Sequence, residues 1–110
     1  MRTWVAQMRK GLVEFCVLAA VKDREAYGYE ILQAAAVRSA NAFEFKEGTL
    51  YPALHQLERK GLIKSAWRTG DNGRERKYYS LTIKGRKAAQ DYEKQWQHLT
   101  CTVNAVLVST

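Results

Sequence analysis

The chain has 110 residues, 46% of them hydrophobic, and carries 18 Lys and Arg against 11 Asp and Glu, a net charge of +7. That length allows one small domain with a modest core. Two cysteines, Cys16 and Cys101, form no CxxC pair and no disulfide framework, which suits a reducing cytoplasm.

The charge is not spread evenly. Residues 46–87 hold 11 basic and 4 acidic side chains, while the rest of the chain holds 7 of each, so the whole excess sits in one segment. A nucleic-acid or other anionic partner requires such a patch.

Residues 3–21 are predicted as the first helix, with Leu12, Phe15, Cys16, Leu18 and Ala19 on a buried face. Trp4, Met8, Gly11 and Phe15 extend an apolar line toward the N-terminus at helical spacing. Two such faces are more than one partner layer covers, so a second chain is expected over part of one. Arg2, Arg9 and Lys10 before GLVEFCVLAAV resemble a signal peptide, but Glu14 interrupts the run, which is also too short to span a bilayer. It reads as a core helix. Cys16 within it reads as a small buried hydrophobe.

After a polar break at residues 22–26, residues 27–39 (YGYEILQAAAVRS) form a second helix with Ile31, Leu32 and Ala35 inward. Gly28 in its first turn permits close packing at some cost in helix propensity. Phe43 and Phe45, in the connector that follows, are expected to plug the core.

Residues 46–62 (KEGTLYPALHQLERKGL) carry the most informative pattern. Leu50, Leu54 and Leu57 make one apolar stripe, and Gly61 supplies a left-handed stop. Thr49, Pro52, His55, Gln56 and Arg59 lie on the other side, free to meet a partner. Pro52 is tolerable if it falls in the first turn. That places free backbone N–H groups, Thr49 and Tyr51 at the positive end, where a phosphate is favoured. Two short helices in tandem before a basic strand pair read as helix-turn-helix.

Ile63–Thr69 (IKSAWRT) and Glu75–Leu81 (ERKYYSL) alternate like strands around Gly70-Asp71-Asn72-Gly73-Arg74, a strong hairpin turn. The hairpin carries Lys64, Arg68, Arg74, Arg76 and Lys77, the make-up of a DNA-binding wing. Ile63, Tyr78 and Leu81 are expected to face the core, with Trp67 and Tyr79 on the far side. Thr82 caps a last helix from Ile83 to about Leu107. Its apolar residues Ala89, Tyr92, Trp96, Leu99, Val103 and Val106 follow heptad spacing, the seam of a helix that pairs with a copy of itself and with the neighbour's first helix. The fold class is therefore mainly α with a small β-hairpin. Residues 1–81 make a winged helix-turn-helix domain, whose first helix also joins the dimer, and residues 82–110 a dimerisation helix.

Three segments, YGYEI (residues 27–31), GTLYPALHQLERKGLI (48–63) and GDNGRERKYYSLTIKGR (70–86), together resemble the PadR family of transcriptional regulators in order and spacing. The chain departs from the family upstream, with Ala26-Tyr27-Gly28-Tyr29 where Gly-Pro-x-His-Gly-Tyr is frequent. The single terminal helix is similar to the short branch, some of whose members sense drugs by holding flat aromatic compounds between tryptophans at the dimer centre.

The resemblance implies a homodimeric repressor of double-stranded DNA. Each copy lays residues 48–59 in a major groove and the wing over the flanking backbone, on half-sites ~10 bp or a multiple apart. Thr49 and Tyr51 suit phosphates; His55, Gln56 and Arg59 have the reach for base edges; Arg74, Arg76 and Lys77 suit phosphates or a minor groove. Lys46, Pro52 and Arg68 complete the DNA-facing set. The resemblance also implies a pore lined by Met8, Gly11, Phe15, Tyr92 and Trp96, with a dimer seam of Ala89, Leu99, Val103 and Val106. Asp91 or Glu93 would favour cationic ligands there. Plain interface packing of Trp96 is the competing reading.

An enzyme is disfavoured. The only histidines are His55 and His98, no acids surround a plausible nucleophile, and there is no glycine-rich phosphate loop, so neither catalytic nor metal-ligating residues nor cofactors are expected. A winged-helix interaction module without DNA binding is the alternative. RNA is a weaker one, because a helix and wing fit B-form grooves better.

Overall fold

The computed structural model describes residues 4–40 and 46–108, apart from the side chain of Ala6. The expected helix start at Thr3 and the expected core plugs Phe43 and Phe45 lie outside those residues. The elements are α1 (Trp4–Ala20), β1 (Ala26–Tyr27), α2 (Gly28–Arg38), α3 (Glu47–Arg59), β2 (Ile63–Thr69), β3 (Glu75–Leu81) and α4 (Ile83–Leu107).

In α1 the deepest residues are Val13, Val17 and Leu18, with Val21 just beyond its end. The expected face was rotated by part of a turn. Leu18 is fully buried, but Leu12, Phe15, Cys16 and Ala19 are only half-buried. The helix packs on α2, α3 and α4. Trp4, Val5 and Met8 remain exposed.

The stripe in α3 packs as its spacing requires: Leu50, Leu54 and Leu57 are each no more than 1% exposed, so truncating any one to Ala costs about 2–5 kcal/mol. The helix ends in a Schellman arrangement. Leu62 N–H donates to the Leu57 carbonyl at 3.0 Å and Gly61 N–H to the Glu58 carbonyl at 3.0 Å. Gly61 takes φ +76°, which a Cβ would strain. Pro52 is not in the first turn but is the sixth residue of the helix. It leaves the Gly48 carbonyl without its usual donor, and because Gly48 is exposed, water can supply one.

The sheet has three strands rather than two, in the order β1-β3-β2. Ala26 and Tyr27, at the boundary between the expected polar break and the second helix, pair antiparallel with Tyr79 and Tyr78. In the hairpin Ile63 lies opposite Leu81, Ser65 opposite Tyr79 and Trp67 opposite Lys77. That register corrects the expected facing. Tyr79 is buried with Ile63 and Leu81, while Tyr78 packs its ring on Tyr27 with centroids 5.4 Å apart. Residues 78 and 81 differ by an odd number and cannot share one face of a regular strand. The turn closes through Gly70 N–H to the Arg74 carbonyl at 2.8 Å, with Gly73 at φ +79°.

A polar splice joins α3 to α4. The Thr82 hydroxyl donates to the Gly61 carbonyl at 2.6 Å and accepts from Gly85 N–H at 2.9 Å. Thr82 N–H donates to the Leu62 carbonyl at 3.1 Å, and Lys84 Nζ to the Lys60 carbonyl at 3.1 Å. Gly85 lies so close to Leu62 that a Cβ would overlap the Leu62 carbonyl. Gly85 and Ala89 are the buried residues of α4. Beyond Tyr92 every residue of the helix but Thr100 is exposed, in a molecule 60 × 34 × 22 Å in extent.

Candidate nucleic-acid interface and apolar seam

With its stripe inward, α3 presents Thr49, Pro52, His55, Gln56 and Arg59 to solvent, all exposed as the spacing predicts. Lys46 is its exposed N-cap. The helix start is less open to an anion than expected. The N–H groups of Thr49 and Leu50 both donate to the Lys46 carbonyl at 2.9 Å, so Glu47 and Gly48 supply the remaining first-turn donors. Tyr51 is half-exposed, and its hydroxyl lies over Gly28, where a Cβ would approach it to 2.6 Å. The close packing expected of Gly28 is therefore contact with α3 itself.

The wing cations fall into two groups. Arg68 Nε pairs with Glu25 Oε1 at 2.9 Å, and Lys77 Nζ lies 3.9 Å from Glu58 Oε1. The Arg76 guanidinium lies 4.4 Å over the Tyr27 ring, a cation–π contact that does not neutralise its charge. Arg74, at the exposed turn, has no side-chain partner among the described residues. Glu58 also accepts from the Ser65 hydroxyl at 2.6 Å, tying α3 to β2. Tyr79, beneath, has its phenol pKa raised, first by burial and then by Glu58 and Tyr51, so it stays neutral. At the α1–α3 boundary Lys60 Nζ donates to Glu14 Oε1 at 2.8 Å, and this bond raises the Lys60 pKa. Glu14, Glu25, Tyr27 and Glu58 gave no sequence signal for these roles, because their partners are distant in the chain.

The second surface is apolar. Phe15 of α1 meets Tyr92 edge-on at 6.3 Å and Trp96 at 6.5 Å. These three rings, with Gly11 and Leu99, line an open cleft of about 950 Å³. The predicted pore residues Gly11, Phe15, Tyr92 and Trp96 are thus brought together, but Met8 does not line the cleft. Nor do Asp91 and Glu93; the acid at its rim is Glu14, held by Lys60. His98 and Thr102, which were not predicted, also line it. Along the seam Trp96 is 42% exposed, Leu99 53%, Val103 46% and Val106 79%. Ala89 is the exception. It is buried inside its own core, so it is not part of the open seam.

Among the described residues no group of His, Cys, Asp or Glu is placed to hold a metal, and no helix is long and apolar enough to cross a membrane. Burial raises the Cys16 thiol pKa, which suppresses the nucleophilic thiolate.

This arrangement matches known proteins closely. The family model described as the transcriptional regulator PadR-like family matches residues 17–91. The chain is 32% identical over 93 residues to the transcriptional regulator Rv3488 of Mycobacterium tuberculosis, covering 84% of this chain and 83% of that protein. An uncharacterized protein X of Lysinibacillus sphaericus is 33% identical over 87 residues, covering 79% and 80%. Among solved structures, a PadR-like transcriptional regulator from Bacillus cereus superposes with a TM-score of 0.83 at 31% identity, covering 94% of this chain and 99% of that one. One from Eggerthella lenta gives 0.82 at 31% identity, covering 96% and 90%. The winged-helix architecture, the basic wing and these matches agree: the chain belongs to the PadR-like family of transcriptional regulators, which bind DNA and are not enzymes.

Proposed function

We propose that the protein is a cytoplasmic, homodimeric, ligand-responsive repressor of the short family branch. Residues 1–81 read DNA and residues 82–110 join two copies. Each protomer lays α3 in a major groove of a pseudo-palindromic operator, with His55, Gln56 and Arg59 toward base edges. Lys46, Thr49, Tyr51, Pro52 and the wing residues Arg68, Arg74, Arg76 and Lys77 lie along the backbone. If ~6–8 phosphates are engaged per dimer, log K against log salt falls with a slope of roughly −5 to −7.

The observation that carries the ligand-responsive part is the ring cluster Phe15–Tyr92–Trp96, which lines a wide cleft on a seam that its own chain leaves open. A copy of the chain would cover Leu99, Val103 and Val106 and turn the cleft into a pore wall. A flat aromatic effector held there shifts the spacing of the two reading helices only if it binds one spacing better than the other. The rigid splice at Thr82 and Gly85 is the route by which a movement of α4 reaches α3.

Tryptophan fluorescence tests this. Wild type and Trp96→Ala are titrated with flat aromatic cations and phenolic acids at equal concentration. Saturable quenching that disappears in the variant, with the dimer intact, supports the pore. Quenching that is absent or unchanged returns Trp96 to interface packing.

A further inference from the structure

A second cavity, of about 630 Å³, lies at the root of the wing. β1 pairs only with Tyr78 and Tyr79, so β3 is left uncovered on that edge from Lys77 toward the turn, and the cavity opens there. Its walls are aromatic and cationic: Tyr27, Tyr51 and Trp67, with Arg74, Arg76 and Lys77, and among the described residues no carboxylate lines it. Of the three cations, only Lys77 has an ion-pair partner among the described residues, Glu58 at 3.9 Å. The Arg76 guanidinium is held in place by the Tyr27 ring, and Arg74 is unpaired among the described residues. The cavity therefore offers two uncompensated guanidinium groups beside exposed ring surface, since Trp67 is 67% and Tyr51 47% exposed. Two positive charges match a phosphate dianion better than a single carboxylate, and guanidinium forks bond phosphate bidentately. Ring faces stack a planar base. The volume lies within the range of small-molecule pockets, about 300–1,000 Å³.

We propose that this cavity is a binding site for a nucleoside monophosphate, with the base against Trp67 and Tyr51 and the phosphate on Arg74 and Arg76. Duplex DNA presents the same phosphate chemistry to the wing but keeps its base faces stacked, so ring recognition separates the free nucleotide from the DNA backbone. The site itself does not depend on operator binding. Because it shares Arg74 and Arg76 with the proposed DNA face, occupancy by the nucleotide and by DNA would exclude one another, a consequence that rests on that reading.

The test is calorimetric titration of the full chain, without DNA, with adenosine 5′-monophosphate, adenosine and inorganic phosphate. The nucleotide is expected to bind at least ~10-fold tighter than either fragment, and Arg76→Gln or Trp67→Ala to weaken it by ~10-fold or more. Arg74→Gln, at an exposed turn, carries the same expectation if Arg76→Gln disturbs folding. Nucleotide binding no tighter than phosphate would reduce the cavity to a backbone contact and overturn the proposal. Binding unchanged in these variants would place the nucleotide elsewhere and overturn it equally. Omitting DNA keeps the result distinct from any failure of the operator model.

Discussion

α3 and the outer part of α4 are both amphipathic, yet only one has its apolar side covered. Leu50, Leu54 and Leu57 of α3 are at most 1% exposed, whereas Leu99, Val103 and Val106 of α4 are between 46% and 79% exposed. The α3 stripe is finished by α1 and the sheet of the same chain. Beyond Tyr92 the α4 stripe meets only Phe15, through Trp96, and stays largely exposed among the described residues. An apolar helix face left open over several turns marks an interaction surface, and burying one Leu or Val there is worth about 1.5–3 kcal/mol. One helix is thus completed by folding and keeps its polar face exposed. The other keeps an apolar face open, which the proposed association would cover.

The sharpest break of this contrast is Leu54→Ala. It should cost about 2–5 kcal/mol in urea unfolding, because its cavity lies in the closed core. Leu99→Ala should cost little in the isolated protomer. Gly85→Ala comes next, at about 3 kcal/mol, since the added Cβ meets backbone at Leu62 rather than a side chain that can move. Leu99→Glu should leave the fold intact but abolish the concentration dependence of the melting temperature, measured by circular dichroism with sedimentation as the check. Thr82→Ala removes the cap and should cost about 1 kcal/mol.

The smallest effect is at alkaline pH. The Lys60 pKa is raised by Glu14 in the fold. Its stabilisation is therefore complete below the ordinary lysine pKa, about 10.4, and is lost as pH rises through the folded value. Lys60→Met should flatten stability between pH 9 and the alkaline limit only slightly, because the pair is exposed.

Much of this was legible in the sequence because it rests on short-range rules. Leucine spacing placed the α3 stripe, Gly61 the stop, Gly73 the turn and Thr82 the cap. The hairpin strands and the ends of α4 were found to the residue. What was not legible depended on distant partners. β1 is two residues long and exists only because β3 lies beside it. The facing of Tyr78 and Tyr79 follows from strand parity, which the sequence contained but an uneven choice of Tyr78 with Leu81 violated. The buried face of α1 and the position of Ala89 turned on which neighbours arrive in the fold. At the candidate site, the exposed row on α3 was readable from its stripe. The Arg68–Glu25 pair, the Arg76–Tyr27 stack and the absence of Met8 from the cleft were not, since each needs the third dimension.

The central claim, that two covered seams place two reading helices on one DNA, is tested most directly by selecting bound sequences from a random duplex pool. Wild type and Leu99→Glu are carried through in parallel. The expected result for wild type is an inverted repeat with half-site centres ~10 bp or a multiple apart, and loss of that repeat in the variant. Selection of a single unrepeated site by wild type, or the same repeat at equal affinity from the variant, would contradict a dimer built on α4.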